Sequence, residues 1–219
     1  MSGIQGIDVS KWQGTVDWSE VASSGCRYGI ARAAYGSTID TSFSQNWSGI
    51  AAAGLYRGAY QFYRNPANVS VSDQISAFKS AFGSAGYGTG ELPPAIDVES
   101  NSTNDAPLTT QAEIDTYVAG IQTWLDSIEQ WSGYVPMIYT TASYWSQLGN
   151  PTGFGGYPLW VANYGVATPT LPEGWTTYTF WQYSDTGTVP GVAGSCDQDV
   201  FNGNQAQLKA LTKQDAAVA

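Results

Sequence analysis

Pro94-Ala95-Ile96-Asp97-Val98-Glu99 reads as a short apolar strand, entered through the pair Pro93-Pro94 and carrying two acids two residues apart. Strand side chains alternate between faces, so Asp97 and Glu99 share one face with Cα atoms about 6.5 Å apart. Carboxyls this close do not ionise independently. Charge on one raises the pKa of the other, which leaves a protonated acid beside a charged partner. A lone Asp-x-Glu is commonly a solvated pair at a strand end, so the meaning of this one depends on its surroundings.

Towards the N-terminus, apolar runs at 4–9, 28–34 and 56–62 alternate with amphipathic helical stretches at 17–24, 43–53 and 71–82, which is βαβα order. After the strand at 95–99, Thr109-Thr110-Gln111-Ala112-Glu113 has the form of a capping box. It opens a helix running to about Gln130, with apolar Ile114, Val118, Ile121, Leu125 and Ile128 at three- and four-residue spacing. Beyond Gly133 the pattern thins. Short strands at 135–139, 159–162, 179–183 and 197–201 are joined mostly by loop, with brief helices at 142–148 and 205–211. The expected class is therefore α/β, with eight strands that fit a parallel-rich barrel whose last helices are reduced. One domain is expected over residues 1–213, with a short C-terminal tail at 214–219.

Composition bounds the function. Among the 219 residues there is no histidine, which removes histidine triads, HExxH metal sites and the usual neutral-pH proton shuttle. Catalysis must then run on carboxylates, tyrosines or lysines, and no metal or cofactor is implied. The net charge of −10 repels a phosphate backbone and is unfavourable at an anionic membrane surface. No apolar run approaches the ~18 residues that span a bilayer. Nucleic acid and membrane are therefore not expected partners, and a monomer is expected. Nine Trp and fourteen Tyr in a chain with 12% charged residues suit a groove that stacks sugar rings, although aromatics also fill ordinary cores.

Barrel closure gathers further acids. Asp8 ends the first strand in Gly6-Ile7-Asp8-Val9-Ser10, and Asp197 lies in the last, in Cys196-Asp197-Gln198-Asp199-Val200-Phe201. First and last strands of a closed barrel are neighbours, so acids from strands one, four and eight would meet over one mouth, at the catalytic end of such barrels. Concentrated like charge costs stability and points to function. Trp12, Tyr60, Tyr139, Trp160, Trp181 and Tyr183 lie at or just beyond strand ends, and about half are expected to reach the groove.

Gly6-Ile-Asp-Val-Ser-Lys-Trp-Gln, Arg57-Gly-Ala-Tyr-Gln-Phe, Ala95-Ile-Asp-Val-Glu, Ile138-Tyr-Thr-Thr, Pro158-Leu-Trp-Val-Ala, Phe180-Trp-Gln-Tyr and Asp197-Gln-Asp-Val-Phe-Asn-Gly together resemble glycoside hydrolase family 25, the N-acetylmuramidase lysozymes. The resemblance covers nearly the whole chain in order. It implies a modified TIM-like barrel, roughly five β/α units followed by three strands with little helix, and hydrolysis of the β-1,4 bond after N-acetylmuramic acid in bacterial peptidoglycan. It also implies that Glu99 is the general acid, that Asp97 is its acidic partner, and that Asp8 and Asp197 are the other two acids of the site. Asp199, where the family has Asn or Asp, is a secondary candidate. With Gln182, Tyr60, Tyr139, Trp160 and Trp181 it makes up the expected substrate contacts. Two departures stand out: Ala34-Tyr35-Gly36 in place of Thr-Glu-Gly, and Gln61 in place of His, where substrate contacts are expected to differ.

Rival readings are a carbohydrate-binding module without turnover, a chitinase-like hydrolase and a structural barrel. The four acids weigh against the first and the last. Cys26 and Cys196 have no CxxC spacing, and their expected places at opposite ends of the barrel favour unpaired thiols. The first residues lack a basic and an apolar signal region, so export without a signal or removal of a leader is expected. The expected place of action is extracellular or at the cell wall.

Overall fold

The first strand, β1 (Ile4–Val9), shows the alternation that organises the molecule. Ile7 and Val9 point outward into the apolar layer beneath the helices, while Asp8 points into the barrel mouth. The computed structural model describes residues 3–212, and the expected tail at 214–219 lies outside them. Five strand–helix units come first: β1 and α1 (Trp18–Ser23), β2 (Tyr28–Tyr35) and α2 (Phe43–Ala52), β4 (Tyr56–Phe62) and α3 (Val71–Ala81), β5 (Ala95–Asp97) and α4 (Gln111–Ser132), β6 (Met137–Thr140) and α5 (Ala142–Gln147). A two-residue strand, β3 (Thr38–Ile39), hangs antiparallel on β2. Then β7 (Leu159–Ala162), β8 (Phe180–Gly187) and β9 (Cys196–Phe201) follow with no helix between them, and α6 (Gln205–Leu211) completes the described chain.

The strands run β1-β9-β8-β7-β6-β5-β4-β2, and β1 pairs with β2 to close the barrel. All neighbours are parallel except β9, which is antiparallel to both β1 and β8. Reversal of this strand has a direct effect on the mouth. The start of β9, not its end, lies level with the ends of the others, and Asp197 stands opposite Asp8 in the ladder.

Two apolar layers hold the barrel. The outer one packs Ile7, Ala31, Ile96, Ile138 and Val161 against helix residues such as Ile50, Phe78, Trp124 and Trp145. The inner one stacks Tyr28, Ile30, Met137, Trp160, Phe180 and Phe201, with Leu208 of α6 joining at the end away from the mouth. Gly6 is required here: a Cβ on it would come within 2.3 Å of the Tyr28 ring, which crosses the interior at that level.

Local sequence explains the best-defined helix. Thr110 and Glu113 form the reciprocal capping box at the start of α4, and Gly133, at φ 73°, ends it in the left-handed conformation. Several strand bounds differ from the sequence reading, such as β6, expected over 135–139 and found at Met137–Thr140, and two of the differences bear on the site. The strand expected over 95–99 stops at Asp97, where the β4 and β6 ladders end, so Glu99 stands on the loop above it. β8 runs on to Gly187 because it forms a hairpin with β9, pairing Ser184 with Gln198 and Gly187 with Cys196.

Candidate active site

Asp8, Asp97, Glu99 and Asp197 converge on one cleft at the barrel mouth, enclosing about 550 Å³ and walled by Tyr60, Tyr139, Trp160, Tyr164, Gln182 and Asp185. Strand alternation supplies the wall: Tyr60 on β4, Tyr139 on β6, Trp160 on β7 and Gln182 on β8 all point inward. Trp160 is fixed by edge-to-face contacts with Tyr60 and Tyr139, at centroid distances of 5.9 and 4.8 Å.

A hydrogen-bond chain orders this wall. The hydroxyls of Tyr139 and Tyr164 both donate to Gln182 Oε1, at 2.7 and 2.6 Å, which turns the Gln182 amide nitrogen towards Asp8 Oδ2 at 2.6 Å. Asp97 Oδ1 is buried without a hydrogen-bond partner, an acceptor presented at the cleft by β5.

Burial and mutual repulsion push all these acids up. Asp97 is held well above the usual carboxylate range by desolvation and then by Glu99, with Arg32 opposing. Glu99 is pushed up to about 7 by burial and by Asp197, again against Arg32. Burial, together with Asp185, lifts Asp197 to about 6. Asp8 is raised by burial and by Asp197 and Asp199. The Asp97–Glu99 pair thus keeps a proton up to about neutrality, which is what a general acid needs.

Arg32 is the buried cation opposite these acids. Asp40 positions it, accepting from both Nε and a terminal nitrogen at 2.8 Å, and is itself held by the backbone N–H groups of Lys11 and Ser42. Sequence reasoning misses Arg32, Tyr164 and Asp185. A signal exists for Arg32, the one charged residue inside the apolar run 28–35, and for Tyr164, two residues past the end of β7.

Some expected contacts are corrected. Trp181 is 2% exposed and points outward into the core, its indole N–H donating to the Asn163 carbonyl at 2.9 Å, because it alternates with the inward Phe180 and Gln182. Asp199 is fully buried below the cleft rather than on its wall, accepting from Trp160 Nε1 at 2.8 Å. Gln61 makes no contact with the mouth. Its amide is buried outside the barrel, donating to the Gly36 and Gln74 carbonyls and accepting from Trp124 Nε1. Tyr183 also faces away, its hydroxyl donating to Gln5 Oε1, and Trp12 is 76% exposed beside the Lys11 ammonium. Cys26 and Cys196 are both buried and free.

The model of the family described as glycosyl hydrolases family 25 matches residues 7–192. Lysozyme M1 of Streptomyces globisporus is 39% identical over 98% of this chain and 73% of its own length. An N,O-diacetylmuramidase of Chalaropsis sp is 34% identical, covering 95% of this chain and 98% of its own. Among solved structures, the bacterial lysozyme from Streptomyces coelicolor superposes with a TM-score of 0.86 at 37% identity, over 99% of this chain and 100% of that one.

Proposed function

The chain belongs to glycosyl hydrolases family 25 and is a glycoside hydrolase, and from that premise we propose that it is a muramidase cutting the β-1,4 bond after N-acetylmuramic acid in bacterial peptidoglycan. The observation that carries the reading is the placement of Glu99. It stands on the wall of the acid cleft and also on that of a second cleft of about 600 Å³, lined by polar side chains including Asn101, Tyr117 and Tyr144. A glycan strand running past Glu99 would meet a cleft on each side of it, as cleavage within a polymer requires.

In this mechanism Glu99 donates its proton to the glycosidic oxygen as the bond from the anomeric carbon to that oxygen breaks. The carbonyl oxygen of the sugar's own 2-acetamido group attacks the anomeric carbon, and Asp97 Oδ1 accepts the acetamido N–H. Water then attacks the same carbon, returns the acetamido group and gives a proton back to Glu99. Configuration is retained. Tyr60, Tyr139 and Trp160 would supply faces and edges for the ring, while Asp8 and Asp197 complete the acidic mouth. The enzyme would act outside the cell or at the wall, as a monomer.

Mass spectrometry of a digest of purified peptidoglycan tests the substrate. Muramic-acid reducing ends are expected; N-acetylglucosamine ends, or chitobiose released from chitin instead, would overturn the assignment. NMR of the first product from a defined oligomer tests the chemistry, and an initially inverted anomer would sink the acetamido route.

A further inference from the structure

At the floor of the cleft a second pair of carboxyls meets. Asp8 on β1 and Asp199 on β9 lie against each other, and both are removed from solvent, Asp8 at 2% exposure and Asp199 at 0%. Each has one oxygen already spoken for: Asp8 Oδ2 accepts from Gln182 Nε2 at 2.6 Å, and Asp199 Oδ1 accepts from Trp160 Nε1 at 2.8 Å. Asp199 Oδ2 is buried and has no hydrogen-bond partner. Two carboxylates in contact contain no donor at all, so the contact becomes a hydrogen bond only when one of them carries a proton. The other ionisable groups facing the pair make a second charge there costlier. Asp197 and Cys196 come from β9, Tyr28 from β2, Cys26 from the loop before β2, Tyr60 from β4, Tyr183 from β8 and Tyr164 from the loop after β7, and none of them is cationic.

We propose that Asp199 is a positioning residue for the reaction: it shares one proton with Asp8 and, through its other oxygen, fixes the indole of Trp160 that walls the sugar cleft. The unit is continuous. Tyr139 and Tyr164 orient Gln182, Gln182 orients Asp8, Asp8 shares its proton with Asp199, and Asp199 holds Trp160, which packs back on Tyr139. One side of the cleft is thereby locked by a closed ring of contacts, and its buried carboxyl pair carries one negative charge rather than two. Asp199 touches no substrate; it acts through Asp8 and Trp160.

Two variants separate this role from simple packing. In Asp199→Asn the side-chain oxygen still accepts from Trp160 and the amide nitrogen donates to an ionised Asp8, so both bonds and the single charge survive. Asp199→Leu keeps the volume and removes both. On peptidoglycan, Asp199→Asn is expected to hold near-parental kcat, while Asp199→Leu loses on the order of 10–100-fold in kcat with KM little changed. The kinetic arm rests on the muramidase reading; a second arm does not. In the infrared difference between parent and Asp199→Asn at neutral pH, the parent is expected to show one buried carboxylic-acid band that the variant lacks. Absence of that band difference overturns the shared proton even if the parent cuts no wall and the functional reading fails, and even if Asp199→Leu does not fold. Asp199→Asn as slow as Asp199→Leu, or Asp199→Leu as fast as the parent, overturns the positioning role.

Discussion

With its pKa pushed up to about 7, Glu99 holds its proton through the acidic range and loses it as the pH passes neutrality. Activity governed by this proton should decline on the basic side with an apparent midpoint near 7, read from kcat/KM against pH. Glu99→Gln should lower turbidity clearance by about 10²–10⁴-fold, the range for losing a general acid, without loss of fold. The stability sign is the opposite of the usual carboxylate case. Glu99 is raised from 4.5 to about 7 and Asp197 from 3.8 to about 6, so their contribution is fully present below the unfolded values and is lost as pH climbs through 6 to 7. Tm should therefore drop between about pH 5 and pH 8, and Glu99→Gln should be the more stable protein at pH 8, by about 1–3 kcal/mol. An equal Tm for parent and variant at pH 8 would refute the burial argument. Gly6→Ala tests another single site: a methyl forced against the Tyr28 ring should cost about 1–3 kcal/mol in denaturant melts. At this scale the four acids are legible because their strand phase and motif context agree. Trp181 is misread for a reason in the physics: a strand end places alternate residues on opposite faces, and being at the end does not say which face is the mouth.

Among the elements, α6 closes the barrel from the end away from the cleft. Its Leu208 is fully buried with Tyr28, Phe180 and Phe201, so Leu208→Ala should cost about 2–5 kcal/mol, measured as a shift in denaturant midpoint, with kcat unchanged while the protein is folded. Helices are the most legible parts of this chain because each carries its own signal. The α4 box of Thr110 and Glu113, the three- and four-residue apolar spacing and the terminal Gly133 all agree on one helix. Strand bounds are less legible because partners set them. β5 ends at Asp97 only because β4 and β6 stop offering ladder bonds there, and β8 continues through polar Ser184–Gly187 only because β9 lies beside it. Nothing in the sequence of either segment contains its neighbour.

At the scale of the molecule, the excess of acid governs how the enzyme meets its target. A net charge of −10 should repel anionic wall polymers at neutral pH and low salt. Wall binding, measured by sedimentation with whole walls, is expected to rise with added salt at pH 7 and to depend less on salt near pH 5; an activity optimum at or above pH 8 in low salt would count against this. The barrel itself is legible from the count and order of strands, since five strand–helix units and three further strands allow few closed arrangements. The direction of β9 is not, because an alternating run reads the same from either end. That reversed strand also sets when the site is complete. Asp197 reaches the mouth, and Asp199 its place beneath it, only when β9 inserts between β1 and β8, pairing residues as far apart in sequence as Ile4 and Phe201. A chain still on the ribosome, with its β1 made and its β9 not, has neither a closed mouth nor a full set of acids. Synthesis order thus leaves the proposed cleft unfinished until the hairpin of β8 and β9 has formed.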